Sequence, residues 1–302
     1  SVTYGLETQI TADNLIENTI SEAITGPFIQ GSDSQGNVYA YNYALNDWYT
    51  VSTEWMQGST YTHAIGHFYT LWEGNDGIGK IADAIHGTSA LETAFRNYWR
   101  GWDPDGGSTG GKDLQTIAIH LYALNRYFNI VGNVLGESGY HTTYECYSTS
   151  ATDTCTAGEG ADKSIYVLGF SNNQEYGTFN NDSLVRSTLM RWGNWDQITA
   201  TRFDSSEVPT GDGSYPNSVP ASQTLPKSFY LSAQPAVWAT AYGTPPWPPI
   251  GPDITGGNVA NVGGHVYKIP ARLCYENMAD DPGYSGSNTV RVFNAATCYT
   301  NY

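Results

Sequence analysis

Leu71-Trp72-Glu73-Gly74-Asn75 sets a pattern that returns along the chain: an apolar or aromatic pair, an Asn, then another apolar or aromatic residue. It is answered by Ala94-Phe95-Arg96-Asn97-Tyr98-Trp99 and by Asn129-Ile130-Val131-Gly132-Asn133-Val134-Leu135. Upstream stand Leu15-Ile16-Glu17-Asn18-Thr19-Ile20 and Tyr39-Ala40-Tyr41-Asn42-Tyr43, and downstream Arg191-Trp192-Gly193-Asn194-Trp195. Aligned on the Asn, the steps are 24, 33, 22, 36 and 61 residues, a repeat of 22 to 24 with insertions. A period of that length marks a unit that cannot bury its apolar face alone and must stack on copies of itself. Short β-rich runs punctuated by Asn and Gly predict a coil of parallel strands. Asn suits the corners, because it tolerates left-handed backbone angles and stacked copies bond each other as an amide ladder. The predicted fold is all-β, a right-handed parallel β-helix.

The wording of these repeats, with Ile85-His86-Gly87, Asn125-Arg126-Tyr127-Phe128-Asn129, Leu189-Met190-Arg191-Trp192-Gly193-Asn194 and Pro245-Pro246-Trp247-Pro248 to Gly251-Pro252-Asp253, resembles secreted bacterial proteins of the pectate-lyase-like, right-handed β-helix superfamily. The likeness runs over most of the chain. It implies the fold, and by analogy with polysaccharide lyases and hydrolases it implies an extracellular glycan as partner.

Among 302 residues, 29 acidic side chains stand against 13 basic, and the net charge of -16 argues against binding nucleic acid or an anionic membrane. Polar surface must come from Ser, Thr, Asn, Gln, Gly and 23 Tyr, which suits a carbohydrate-facing protein and equally a structural one. No run of about 20 apolar residues marks a membrane span. Four cysteines fall into two local pairs, Cys146 with Cys155 and Cys274 with Cys298, which predicts two disulfides and an oxidising compartment. The chain opens without Met or signal peptide, as expected of a trimmed product of a longer exported precursor.

Coils are expected over 1–200, interrupted near 46–67, 101–113 and 137–180, with short strands at Gln9-Ile10-Thr11 and Ile165 to Leu168. Beyond 200 the composition changes, for 12 of the 14 prolines lie there. Proline cannot join a central ladder, so 201–302 is read as a flank or cap wrapped over the coils.

Glu73 stands at a repeat position otherwise read as apolar (Ile16, Ala40, Phe95, Val131, Trp192), and a carboxylate there needs a partner or a raised pKa. Asp83 and His86 follow within one coil, and Arg96 and Arg126 come from the next; stacked coils lie about 5 Å apart, so these groups can meet. Two chemistries suit them. A lyase would use His86 or an Arg as base, and a hydrolase would need two carboxylates about 5 to 10 Å apart. The same residues suit structural ion pairing between coils equally well. Trp48, Trp55 and Tyr61 form an aromatic ledge suited to sugar rings or to packing on the coils. Asp103, Asp105 and Asp113 in a Gly-rich loop offer oxygen ligands to Ca2+, although a solvated turn explains them too. His63 and His67 are four apart on a segment that reads as strand or loop, so a helical metal pair is not supported. A second function class remains open: a structural or adhesive protein that associates with copies of itself through an uncovered first coil.

Overall fold

The computed structural model describes residues 4–47, 55–103, 112–155, 163–172, 179–210, 218–284 and 290–299. Its strands are short because each is cut off by a corner. In chain order they are β1 (Tyr4–Thr8), β2 (Leu15–Glu17), β3 (Ile20–Glu22), β4 (Gly26–Gln30), β5 (Val38–Ala40), β6 (Tyr43–Leu45) and β7 (Thr60–Thr62). Then come β8 (Leu71–Glu73), β9 (Asp76–Gly77), β10 (Lys80–Ala82), β11 (Thr93–Phe95), β12 (Tyr98–Trp99), β13 (Ile119–Leu121) and β14 (Asn129–Val131). The series ends with β15 (Val134–Leu135), β16 (Thr143–Tyr147), β17 (Ser164–Leu168), β18 (Met190–Trp192), β19 (Asn194–Asp196) and β20 (Ala200–Arg202).

The chain deals these strands in rotation to three sheets. Sheet I is ordered β1-β4-β7-β10-β13-β17-β16, sheet II β18-β14-β11-β8-β5-β2 and sheet III β20-β19-β15-β12-β9-β6-β3. Pairing is parallel throughout except for β19 with β20, which closes sheet III with an antiparallel strand. The expectation of a β-rich chain of stacked parallel strands is met.

The corner between sheets II and III shows why the motif recurs. Asn42, Asn75, Asn97, Asn133 and Asn194 bond each other in series, Nδ2 to Oδ1, at 3.0, 2.8, 2.9 and 3.1 Å. Each Oδ1 also accepts the backbone N–H of the preceding Asn in the stack, at 2.9 to 3.1 Å. The ladder thus satisfies backbone groups that turn away from the sheets. The residue before each Asn is left-handed: Tyr41, Gly74, Arg96, Gly132 and Gly193 all have φ between 52° and 69°. Here the structure corrects the sequence alignment by one residue. Asn18 (φ 54°) occupies this left-handed corner, and Thr19 takes the ladder position, donating its N–H and hydroxyl to Asn42 Oδ1. The register then sets Glu17, not Ile16, opposite Ala40. Likewise Ile10 is a left-handed corner (φ 50°) following β1 and not part of a strand, and the excursion before β18 contributes both β16 and β17 to sheet I.

Alternate residues of every strand point between the sheets and build the core: Tyr39 stacks on Trp72 with ring centroids 4.2 Å apart, flanked by Ile16, Phe28, Ile130 and Leu135. This interior also holds Lys80, 3.0 Å from Glu92, whose carboxylate accepts from Trp72 Nε1 and Thr62. Beyond β20 the chain is largely irregular and lies on the outer faces. Tyr41 and Ala40 of the sheet II side meet Trp238, and Tyr43, Tyr98 and Val134 of sheet III meet Ile250, Val262, Ile269 and Tyr275. Helices α1 (Leu184–Thr188), α2 (Pro270–Glu276) and α3 (Ala295–Cys298) are short. Both cysteine pairs are bonded as expected, Cys146–Cys155 and Cys274–Cys298.

Candidate functional site

In-register parallel pairing lines up the outward side chains of successive strands about 4.8 Å apart. On sheet II this places Leu71, Thr93, Asn129 and Met190 in one row, with Val131 and Trp192 in the row beside it. Tail residues Pro220 to Phe229 stand across from these rows, and the two walls enclose an open groove of about 680 Å3. Phe229 is held in place by its ring against Phe95, 4.1 Å away, and by its N–H bonded to Glu73. Apolar and aromatic surface from Tyr69, Leu71, Leu91, Trp192 and Phe229 alternates with the small polar groups of Thr70, Thr93, Asn129, Ser222 and Thr224. Among the described residues no Asp, Glu, His, Lys or Arg lines it.

The five residues singled out for catalysis do not converge. Glu73 is 0% exposed beneath the tail, where it accepts from Phe229 N at 2.8 Å and Tyr41 Oη at 3.3 Å. Burial pushes its carboxyl up to about 7, partly offset by hydrogen bonds from Ser228, Phe229 and Tyr41 and by the nearby Arg96. Arg96 leaves its left-handed corner to grip the tail: two bonds to Asp253 at 2.7 and 2.8 Å, one to Ile250 O and one to Pro226 O. Arg126 bonds Asp182 at 2.7 Å, elsewhere on the molecule.

Asp83 and His86 lie instead on the outer side of sheet I, where the register sets Tyr61 opposite Ile81 and so brings His63 level with Asp83. Asp83 Oδ2 bonds His63 Nδ1 at 2.6 Å and accepts the Tyr61 hydroxyl, while Oδ1 accepts Ile85 N. His86, exposed, meets the His63 ring edge to face at 4.6 Å. An imidazole oriented by a buried carboxylate is the geometry of a general base. The sequence reading set His63 aside, since only register reveals that Tyr61-x-His63 and Ile81-x-Asp83 are neighbours.

Of the aromatic ledge, Trp48 lies outside the described residues; Trp55 bridges to Leu114 and Tyr61 packs with Ile29, Ile81 and Tyr122. Asp105 also lies outside them. Asp113 is exposed, whereas Asp103 is buried and committed to Lys112 Nζ at 2.9 Å and to the N–H of Asn46. Among the described residues no group of three or more His, Cys, Asp or Glu is arranged to hold a metal ion. Nor is any described helix long and apolar enough to cross a membrane. The tail wall of the groove was missed altogether, because nothing in Pro220 to Phe229 announces which sheet it will lie on. No family model, curated protein or solved structure matches this chain.

Proposed function

We propose that this protein is an exported, right-handed parallel β-helix of the pectate-lyase-like kind that binds a neutral extracellular polysaccharide along the outer face of sheet II. Right-handed crossovers are the overwhelming rule between parallel strands, and the rotation of the chain through three parallel sheets supports the β-helix reading. Two disulfides suit an oxidising compartment.

The observation that carries the binding reading is the groove's lining: Leu71, Thr93, Asn129 and Met190 repeat at strand spacing, the aromatic Tyr69, Trp192 and Phe229 stand around them, and among the described residues no Asp, Glu, His, Lys or Arg joins them. Aromatic faces pack on the apolar faces of sugar rings, and the hydroxyls and amide supply hydrogen bonds without favouring charge. The net charge of -16 opposes polyanions. Affinity electrophoresis against neutral and acidic polysaccharides tests this. Retardation by neutral polymers, weakened in Trp192→Ala, is expected; equal or stronger retardation by acidic polymers would overturn it.

Cleavage is the second reading, favoured by the His63–Asp83 pair with His86 beside it. Product release, followed by reducing ends and by ultraviolet absorbance of unsaturated sugars, should then disappear in His63→Ala. If the protein binds without releasing product, it acts as a binding protein alone. The self-associating, adhesive alternative draws on the exposed Ile10 and Leu15 beside β1 and β2, which end sheets I and II. Light scattering that shows a concentration-independent monomer removes it.

A further inference from the structure

A second recess, of about 280 Å3, opens on the outer face of sheet I, away from the groove. His120 of β13 lies in its lining, 1% exposed, its ring stacked on Tyr122 with centroids 3.8 Å apart. Burial drives its pKa down to about 3, so the imidazole is neutral at physiological pH. Its Nδ1 lies 3.3 Å from the Gln115 side-chain amide, and its Nε2 is buried with no hydrogen-bond partner among the described residues. A polar atom shielded from water and left unpaired is destabilising, so this atom stands ready to take a partner from a ligand that enters the recess.

The surroundings restrict what that partner is. Val167, Phe170 and Cys155 give apolar walls, and the hydroxyl-bearing Ser171 and Thr154 also line the recess. Asp153 is spent within its own loop. Its carboxylate accepts from Ser148 Oγ, Thr149 N, Thr149 Oγ1 and Asn181 Nδ2, and these bonds hold its carboxyl well below the usual range. It therefore contributes fixed negative charge that disfavours anions, while its lone pairs are taken and attract no metal. Which nitrogen of His120 carries the proton follows from the orientation of the Gln115 amide. A hydroxyl serves either case, because it both donates and accepts.

We propose that this recess binds one neutral, hydroxyl-bearing ring, a single sugar unit, with a ring hydroxyl on His120 Nε2 and the ring's apolar face against Phe170. The site is separate from the polysaccharide groove and stands or falls without it. The volume lies just under the usual range for small-molecule pockets, in keeping with a monosaccharide-sized ligand and not an extended chain.

The test follows the His120 side-chain nitrogen resonances of the full 15N-histidine-labelled chain while methyl β-glucoside, methyl β-galactoside, glucuronate or phenol is added. A saturable shift of Nε2 with a neutral glycoside is expected, with glucuronate at least several-fold weaker. His120→Leu, and independently Phe170→Ala in case the first fails to fold, should each weaken glycoside binding about tenfold. No shift with any glycoside would mean that the recess holds only water and would overturn the proposal. So would tighter binding of glucuronate or phenol. Retention of neutral polymers by the groove, followed on the same variants, reports separately on the sheet II reading.

Discussion

The three sheets and the tail that covers two of them are held by different means. Along the II–III corner each circuit repeats the same bonds, so Asn97 receives from Asn75 and gives to Asn133 and to Trp72 O, and its neighbours do likewise. The tail has no such repetition. It is fastened at separate points: Tyr230 to Glu17, Phe229 to Glu73, Arg96 to Asp253, Arg272 to Asp76 and Tyr275 to Glu22. The difference teaches that order in the sheets is cooperative while order in the tail is a set of individual clasps. Damage to one ladder rung should therefore spread, whereas damage to one clasp should stay local.

Asn97→Ala is the sharpest way to break that comparison. It leaves the buried N–H of Asn75 without its acceptor and removes the side-chain bonds of Asn97 to Asn75, Asn133 and Trp72 O, and on the order of 3 kcal/mol should be lost. Urea unfolding should show a lower midpoint by every probe at once. A local effect, seen by one probe only, would contradict cooperative order in the sheets.

Asp253→Ala should rank next, because it strands the guanidinium of Arg96, which is 1% exposed. Breaking one side of a buried pair costs up to about 3 to 5 kcal/mol; with Asp253 itself half exposed, about 2 is expected here. Limited proteolysis should then cut within 218–253 while the sheets persist. Loss of the whole fold would show that the tail and the sheets are one cooperative unit.

The Glu73 clasp should depend on pH. Its carboxyl is raised above the ordinary value by burial, so the protonated form is the one the folded state prefers. Tail docking is strongest below the unfolded value near 4.5, weakens as pH climbs, and reaches its full penalty above about 7. The loss is on the order of 2 to 3 kcal/mol. Glu73→Gln, which keeps an acceptor for Phe229 N, should remove most of that slope. A tail cleaved equally fast at pH 5 and pH 8 in the native protein would argue against it.

The smallest effect concerns binding. Trp192→Ala removes one aromatic wall of the groove and should weaken a neutral polysaccharide about tenfold, or roughly 1.4 kcal/mol. Because Trp192 is only 6% exposed and packs on Phe203, the urea midpoint should fall as well, so affinity is compared on the folded variant. Unchanged affinity would place the binding surface elsewhere, with the His63–Asp83 side of sheet I the next to examine.

What the sequence by itself determined was the repeat and its logic. The Asn at 42, 75, 97, 133 and 194 is legible because one chemical demand, an amide bonding both its neighbour's backbone and its neighbour's amide, recurs at every circuit. The cysteine pairs were legible from proximity in the chain. The first circuit was misaligned by one residue since Thr19 meets the same demand without being Asn. Tertiary structure alone decided which side chains share a surface. Glu73 reads as an oddity in a row of apolar residues, but Glu17 shares its row once the register is known, and both serve the tail. His63 joins Asp83 because the β7–β10 register sets Thr62 opposite Ala82, and Arg96 joins Asp253 across more than 150 residues. Local pattern records what each circuit needs from its own backbone; it does not record where an irregular tail will come to rest, since that depends on contacts made once and never repeated.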